Sequence, residues 1–222
     1  MKKGDFVKIN YIGRLESGEI FDLTDVEIAK KEKLFNERIK YGPIPVIMGE
    51  GFVVKGLEKA LESMAVGDKK TVEVTPEDGF GQRSQELVKI VSEKDFDRQN
   101  LSPKQGMIVD FGSYKGRIQS VAGGRVTVDF NNPLAGKVLK YEVELVEKVE
   151  GSENQVKALL EFYNVDQKVS IENKIVKITA KTPEALRPRL ADMILKHITD
   201  IESIEFVDTF TKEDLKKHAE HE

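Results

Sequence analysis

His197, His218 and His221 are the only side chains of this chain whose ordinary titration falls near neutral pH, and they are too scattered for acid–base chemistry. His197 lies within an apolar-faced helical stretch, where a structural or surface role is the plain reading. His218 and His221 stand three apart near the end of the sequence, a spacing that can touch a metal. No ordered set of carboxylates surrounds them. Cysteine is absent, which removes thiolate nucleophiles, thiolate zinc sites and disulfides together. The pairs Glu77/Asp78 and Asp95/Asp97 read as solvated loop charge. No HExxH, GxSxG, phosphate-binding GxxxxGK[ST] or CxxC pattern occurs. If the chain is an enzyme, its reaction needs no proton shuttle and no nucleophile, and no cofactor is expected.

Chemistry without reactive groups rests on shape, and shape is set by the elements of the fold. At 222 residues and 39% apolar content, two or three small domains are expected. The 35 basic and 39 acidic residues leave a net charge of −4, which argues against a nucleic-acid partner. No apolar run is long enough for a membrane span, and "MKKGDFVKINYIG" lacks the apolar core of a signal peptide. A cytoplasmic location follows as the expectation.

Phe6, Ile9 and Tyr11 mark a strand ended by Ser17-Gly18, and "EIFDLT" marks a second. Asp25 to Gly42 is a polar excursion with some helix. "IPVIMGEG" is apolar, and Val54, Leu57, Leu61 and Met64 then form one face of a short helix. "KKTVEVTPEDGFG" is a strand leading into a Pro/Gly loop. Residues from Ser84 to Phe130 read as short strands, with Gly123-Gly124 predicting a hairpin because primed turns need positive φ. After Gly151 the order α-β-β-α-β-α is predicted, with a turn at Glu172-Asn173, a Thr182 cap, Pro183 at the first helical position and a polar terminal helix in "TKEDLKKHAEHE". "NNPLAGKVLKYEVEL" turns at Asn131 to Gly136 and then becomes a strand with one face buried.

Three stretches carry a resemblance. "VKINYIGRLESGEIFDLT", "PVIMGEGFVVKGLEKALESMAVGDKKTVEVTPEDGFG" and "NNPLAGKVLKYEVELVEKV", in that order and approximate spacing, resemble FKBP-type peptidyl-prolyl cis-trans isomerases. The block after "GFG" and the return through "NPLAGK" resemble the SlyD branch, in which an insert-in-flap chaperone domain interrupts the isomerase domain. The C-terminal unit resembles that of long archaeal FKBP proteins. The resemblance implies an α+β fold: an FKBP antiparallel sheet wrapped on a short helix, an inserted small β-rich domain and a C-terminal α+β domain. The corresponding boundaries are 1–83 with 131–151, then 84–130, then 152–222. "NNPLAG" is the implied hinge, where the chain re-enters the sheet begun before the insert.

The implied activity accounts for the missing reactive cluster. Rotation about a prolyl bond is resisted by amide resonance, with a barrier of about 18–20 kcal/mol, and takes tens to hundreds of seconds unaided. The twisted transition state is less polar than the planar amide, so an apolar, water-poor pocket favours it. Lowering the barrier by about 4–8 kcal/mol accelerates rotation roughly 10³–10⁶-fold. By resemblance, Tyr11, Phe21, Asp22, Phe80 and Tyr141 are the catalytic residues, with Asp22 facing the substrate carbonyl. Ile44, Val53, Val54, Leu57, Leu134 and Ala135 are the substrate-binding residues. Leu57 stands where many relatives carry tryptophan, and Phe80 where they carry tyrosine. Each aromatic on a strand is also an ordinary core residue in its own right, and Asp22 fits a turn.

Met107, Ile108, Val109, Phe111 and Tyr114 are expected to cluster beside Leu87, Val88, Ile90 and Val91, filling the insert's core with enough left exposed to hold a client. The implied partners are unfolded or partly folded proteins containing X-Pro, with a homodimer through the C-terminal unit or else a second client surface there. The rival function is a holdase chaperone on a scaffold with little turnover.

Overall fold

The computed structural model describes residues 1–98, 100–112, 114–165, 168–179 and 182–208. The expected terminal helix, with His218 and His221, lies outside them.

The first unit is an antiparallel sheet. Strand β1 (Phe6–Leu15) pairs with β3 (Ile44–Ile47) over its first half and with β2 (Ile20–Leu23) over its second. Its other edge pairs with β9 (Leu139–Lys148), which in turn pairs with β4 (Lys69–Val74). Helix α1 (Val26–Lys31) begins the polar excursion, capped by the Asp25 carboxylate, which accepts from the amides of Glu27 and Ile28 at 2.8 and 3.0 Å. Helix α2 (Lys55–Glu62) buries Leu57, Ala60 and Leu61 against the sheet, and Met64 is buried just past its end. Gly56 sits so close to β4 that a Cβ there would lie 2.7 Å from a Val74 methyl. The core between helix and sheet holds Val7, Ile9, Val46, Met48, Val74, Tyr141 and Leu145.

The inserted segment has its own sheet, in the order β5-β8-β7-β6, from β5 (Val88–Ser92), β6 (Ile108–Asp110), β7 (Lys115–Ala122) and β8 (Arg125–Asp129), with helix α3 (Glu93–Asp97) after β5. Gly123 and Gly124 join β7 to β8 at φ +57° and +72°, as a primed turn requires. That hairpin occupies the middle of the sheet and qualifies one expectation. The segments around Ile90 and Ile108 share a core through Val91, Met107, Val109 and Phe111 but lie at opposite edges of the sheet. The core is Phe96, Val109, Ile118, Val126 and Val128, with Val91, Met107 and Phe111 packed against it. Ile90, Ile108 and Tyr114 are left 68%, 66% and 72% exposed.

Asn131 closes the gap through which the insert departs. Its side-chain carbonyl accepts from the Ser84 amide at 2.8 Å, and its side-chain amide donates to the Ser84 carbonyl at 2.9 Å. Asp129 accepts from Asn131, Gln119 and Arg83. Burial pushes its carboxyl up, but the hydrogen bonds from Asn131 and Arg83 outweigh that and hold it below the usual range. The Gly136 amide then donates to the Gly81 carbonyl at 2.8 Å, tying the returning chain to the outgoing one.

The C-terminal residues form α4 (Ser152–Phe162), β10 (Lys168–Glu172), β11 (Ile175–Thr179), α5 (Arg187–His197) and β12 (Ser203–Val207). The strands are ordered β10-β11-β12, and α5 carries the chain across to make β12 parallel to β11. Two local expectations shift. The hairpin turns at Asn173-Lys174, whose φ values are +50° and +64°. Asparagine tolerates the left-handed region better than glutamate does. Glu184–Leu186 form a 3₁₀ turn, and the α-helix begins only at Arg187. Pro188 must lie in the first helical turn, where a missing N–H costs nothing. Thr182 therefore caps nothing, and its buried hydroxyl has no hydrogen-bond partner among the described residues.

This unit does not stand apart from the first. Phe6, Ile47 and Val149 are buried in the same cluster as Val156, Leu159, Leu160, Val176, Ile178, Leu190 and Ile194. The paired ends of β1 and β3 around Phe6 and Ile47 are thus covered on both faces, by the α2 core on one side and by the C-terminal residues on the other.

Candidate active site

Tyr11 is placed by a clamp between β1 and the end of β2. Its amide donates to the Thr24 hydroxyl at 3.0 Å, and the Thr24 amide donates back to the Tyr11 carbonyl at 3.0 Å. Thr24 is itself buried. The clamp sets the preceding Phe21-Asp22 pair across from Gly13, and the Tyr11 hydroxyl donates to the Asp22 carboxylate at 2.7 Å. Gly13 leaves room for the Phe21 ring, since a Cβ there would come within 2.6 Å of it. Tyr141, on β9, meets Tyr11 edge-on at 5.9 Å between ring centres and Phe21 at 5.7 Å.

The Tyr11 and Tyr141 rings bound a cavity of about 360 Å³. Leu57, only 1% exposed, is one of its most deeply buried linings. Val53 and Val54 line it where the chain enters α2, Asp22 and the two tyrosines line another side, and Phe80 belongs to the loop after β4. Gly51, Phe52 and Gly79 also line it, although nothing in their types singled them out; the one linear hint was their place beside the valine pair and within "DGFG". Phe21 supports the Tyr141 ring from outside the lining. Ile44 and Leu134 pack against the surrounding core, and Ala135 donates to the Asn132 carbonyl in the returning turn; none of these three lines the cavity. A second depression of about 350 Å³ is bordered largely by charged and polar side chains, including Asp25, Lys69, Glu142 and Glu144, and lacks such apolar walls.

The lining contains no cysteine, serine, lysine or histidine, and among the described residues no cluster of three metal-ligating side chains occurs. Burial, reinforced by the Asp22 charge and hydrogen bond, pushes the Tyr11 phenol far above its ordinary value. Burial and Asp22 push Tyr141 up to about 12. Both phenols are neutral at physiological pH and serve as dipoles, not as bases. An unfolded tyrosine loses its proton near pH 10. The Tyr141 contribution to stability is therefore complete below about pH 10 and is lost as pH rises from there towards 12. Urea unfolding followed across that window is expected to show falling stability; a rise would contradict the shift.

A cavity with apolar walls and a hydrogen-bonded carboxylate at its side can seat a small ring and favour one geometry of a bond over another.

Comparison with known proteins gives the same picture. The family profile described as FKBP-type peptidyl-prolyl cis-trans isomerase matches residues 1–146. The short-type peptidyl-prolyl cis-trans isomerase of Methanocaldococcus jannaschii is 36% identical over 145 residues, which are 65% of this chain and 92% of that protein. A probable FKBP-type 16 kDa isomerase of Pseudomonas fluorescens is 32% identical over 64% of this chain and 87% of its own. The SlyD isomerase of Treponema pallidum is 30% identical over 69% and 81% respectively.

Proposed function

The chain belongs to the FKBP-type peptidyl-prolyl cis-trans isomerase family, and from that premise we propose that the cavity between Tyr11, Leu57 and Tyr141 is where the prolyl bond turns. The observation that carries this reading is the cavity itself, with apolar walls and the Tyr11–Asp22 hydrogen bond at one side.

The chain is an isomerase of the SlyD type, and its reaction makes and breaks no covalent bond. The proline ring rests on Leu57 beside Val54 and the Tyr141 ring. The planar amide is the more polar form, so the dry walls destabilise it relative to the twisted one. Tyr11 holds the Asp22 carboxylate in one orientation, towards the substrate carbonyl. There it interacts most favourably when rotation has removed resonance and left the carbonyl carbon more electron-poor. Asp22→Ala is expected to lower isomerisation of an X-Pro tetrapeptide several-fold, about 1 kcal/mol of transition-state stabilisation, with the fold intact. Unchanged turnover would remove Asp22 from the mechanism.

The proposed division is an isomerase unit of residues 1–83 and 131–151, an insert of 84–130 and a C-terminal unit of 152–222, in keeping with three separate sheets. The insert acts as the chaperone part. Its two edge strands and their flanks carry exposed Leu87, Ile90, Ile108 and Tyr114, and an apolar edge is a template for an extended chain. The clients are unfolded or partly folded proteins with X-Pro bonds. Strands β10 and β12 are both edges of the C-terminal sheet, which suits pairing between two copies as a homodimer. No helix among the described residues is long and apolar enough to cross a membrane. The lack of cysteine suits the reducing cytoplasm.

A further inference from the structure

The segment from Gly49 to Val54, "GEGFVV", forms one wall of the cavity with its last four residues. Its backbone path depends on glycine at two points. Gly49 and Gly51 both adopt positive φ, +81° and +71°, on either side of Glu50. Within the isomerase unit it is held from one direction by Glu58, whose carboxylate accepts from the amides of Gly49 and Gly51 at 3.2 Å each.

From the other direction it is held by the C-terminal residues. Phe52 packs against both the isomerase core and the core shared with the C-terminal unit. Its ring meets Phe162, the last residue of α4, edge-on at 4.5 Å between centres. Two residues earlier, the Glu50 carboxylate accepts from Lys196 on α5 at 2.9 and 3.0 Å, one distance to each oxygen. His197 brings Nε2 to 3.2 Å from the same carboxylate, and its side chain is 8% exposed. The Lys196 hydrogen bond holds Glu50 below the usual carboxylate range, against the opposing effect of burial and with help from His197.

We infer that the C-terminal unit positions the substrate-binding wall of the isomerase cavity, through Phe162 against Phe52 and Lys196 against Glu50. Phe162 and Lys196 are positioning residues for a reaction that takes place on another unit. A wall that begins at two positive-φ glycines, Gly49 and Gly51, must otherwise be ordered by the substrate when it binds, at a cost in affinity. That cost falls equally on the ground state and the transition state, so its signature is a raised KM at unchanged kcat. Simple destabilisation gives the opposite pattern, a smaller active fraction with lower apparent kcat and unchanged KM.

This inference rests on the cavity being the prolyl site, and the test keeps the two apart. Full-length wild type, Phe162→Leu, Lys196→Met and Lys196→Arg are assayed with one X-Pro tetrapeptide, and the amide NMR signals of Gly49, Gly51, Phe52 and Val53 are recorded. Lys196 is half exposed, so its variants fold whatever Phe162→Leu does. The expected result is a KM raised about threefold to tenfold in Phe162→Leu and Lys196→Met, with kcat held, Lys196→Arg near wild type and the Gly49–Val53 amides shifted. An active wild type whose Lys196→Met and Phe162→Leu variants share its KM and amide signals overturns the inference and leaves the prolyl site standing. Wild type without tetrapeptide activity overturns the site reading and with it the inference.

Discussion

Replacing Ser84 to Phe130 with two glycines leaves tetrapeptide isomerisation within about threefold of the intact chain and lowers catalysed refolding of a proline-limited protein by on the order of 10²-fold. The first half of this result follows from geometry. No side chain between 84 and 130 lines the cavity, and the insert has its own sheet and its own buried cluster around Phe96, Ile118 and Val126. Its two ends are joined by the paired hydrogen bonds between Ser84 and Asn131, so a short link spans the cut. The second half follows from mass action. A client held on the exposed Ile90 or Ile108 edge reaches the cavity as a tethered partner, at an effective concentration far above its free one. A tetrapeptide is too small to be tethered and gains nothing. Both substrates are assayed on the same preparation. Equal losses on the two would remove the client-holding role from the insert.

Truncation after Gly151 is expected to destabilise what remains by about 3–6 kcal/mol, from exposing Phe6 and Ile47 at about 1.5–3 kcal/mol each. In the whole chain these two are 2% and 1% exposed and share a cluster with Leu159, Leu160, Val176 and Ile194. Such a loss is a large part of the stability of an ordinary domain. Urea unfolding of residues 1–151 therefore shows a much lower midpoint than the full chain, or no folded baseline at all. A midpoint within experimental scatter of the full-length value would mean that the C-terminal residues merely cover a surface that is stable without them. Sedimentation of the truncated chain reports on the homodimer only once that folded baseline has been checked.

Much of the fold is legible along the chain because its signals are local. The β-prone residues Phe6, Ile9 and Tyr11, with those between them, mark β1, and the run Leu57, Leu61 marks the buried face of α2. Gly123-Gly124 marks a turn because only positive φ closes a two-residue hairpin with the right twist. Other features have no local signal. Ile90 and Ile108 are alike as residues, and neither shows that a hairpin between them sets them at opposite edges. Thr182 and Pro183 look like the start of a helix, yet Pro188 five residues on decides where the regular turns begin. The adjacent apolar pairs Phe6-Val7 and Ile47-Met48 are a linear trace of strands covered on both faces.

The cavity divides in the same way. Tyr11, Phe21, Asp22, Val53, Val54, Leu57, Phe80 and Tyr141 stand in family-like motifs whose types and order are present in the residues alone. So is the lack of cysteine and of any familiar hydrolase, phosphate-binding or metal motif. The structure decides that Phe21 braces Tyr141 from behind, that Ile44, Leu134 and Ala135 stand off the lining, and that Phe52 belongs to it. It also decides that Phe52 meets Phe162 and Glu50 meets Lys196, across more than a hundred positions. Periodicity, caps and tight turns act over a few bonds and so are written in neighbouring residues. Contacts such as these form only once loop closure has been offset by the burial of several elements together, and no short stretch of sequence carries that cooperative term.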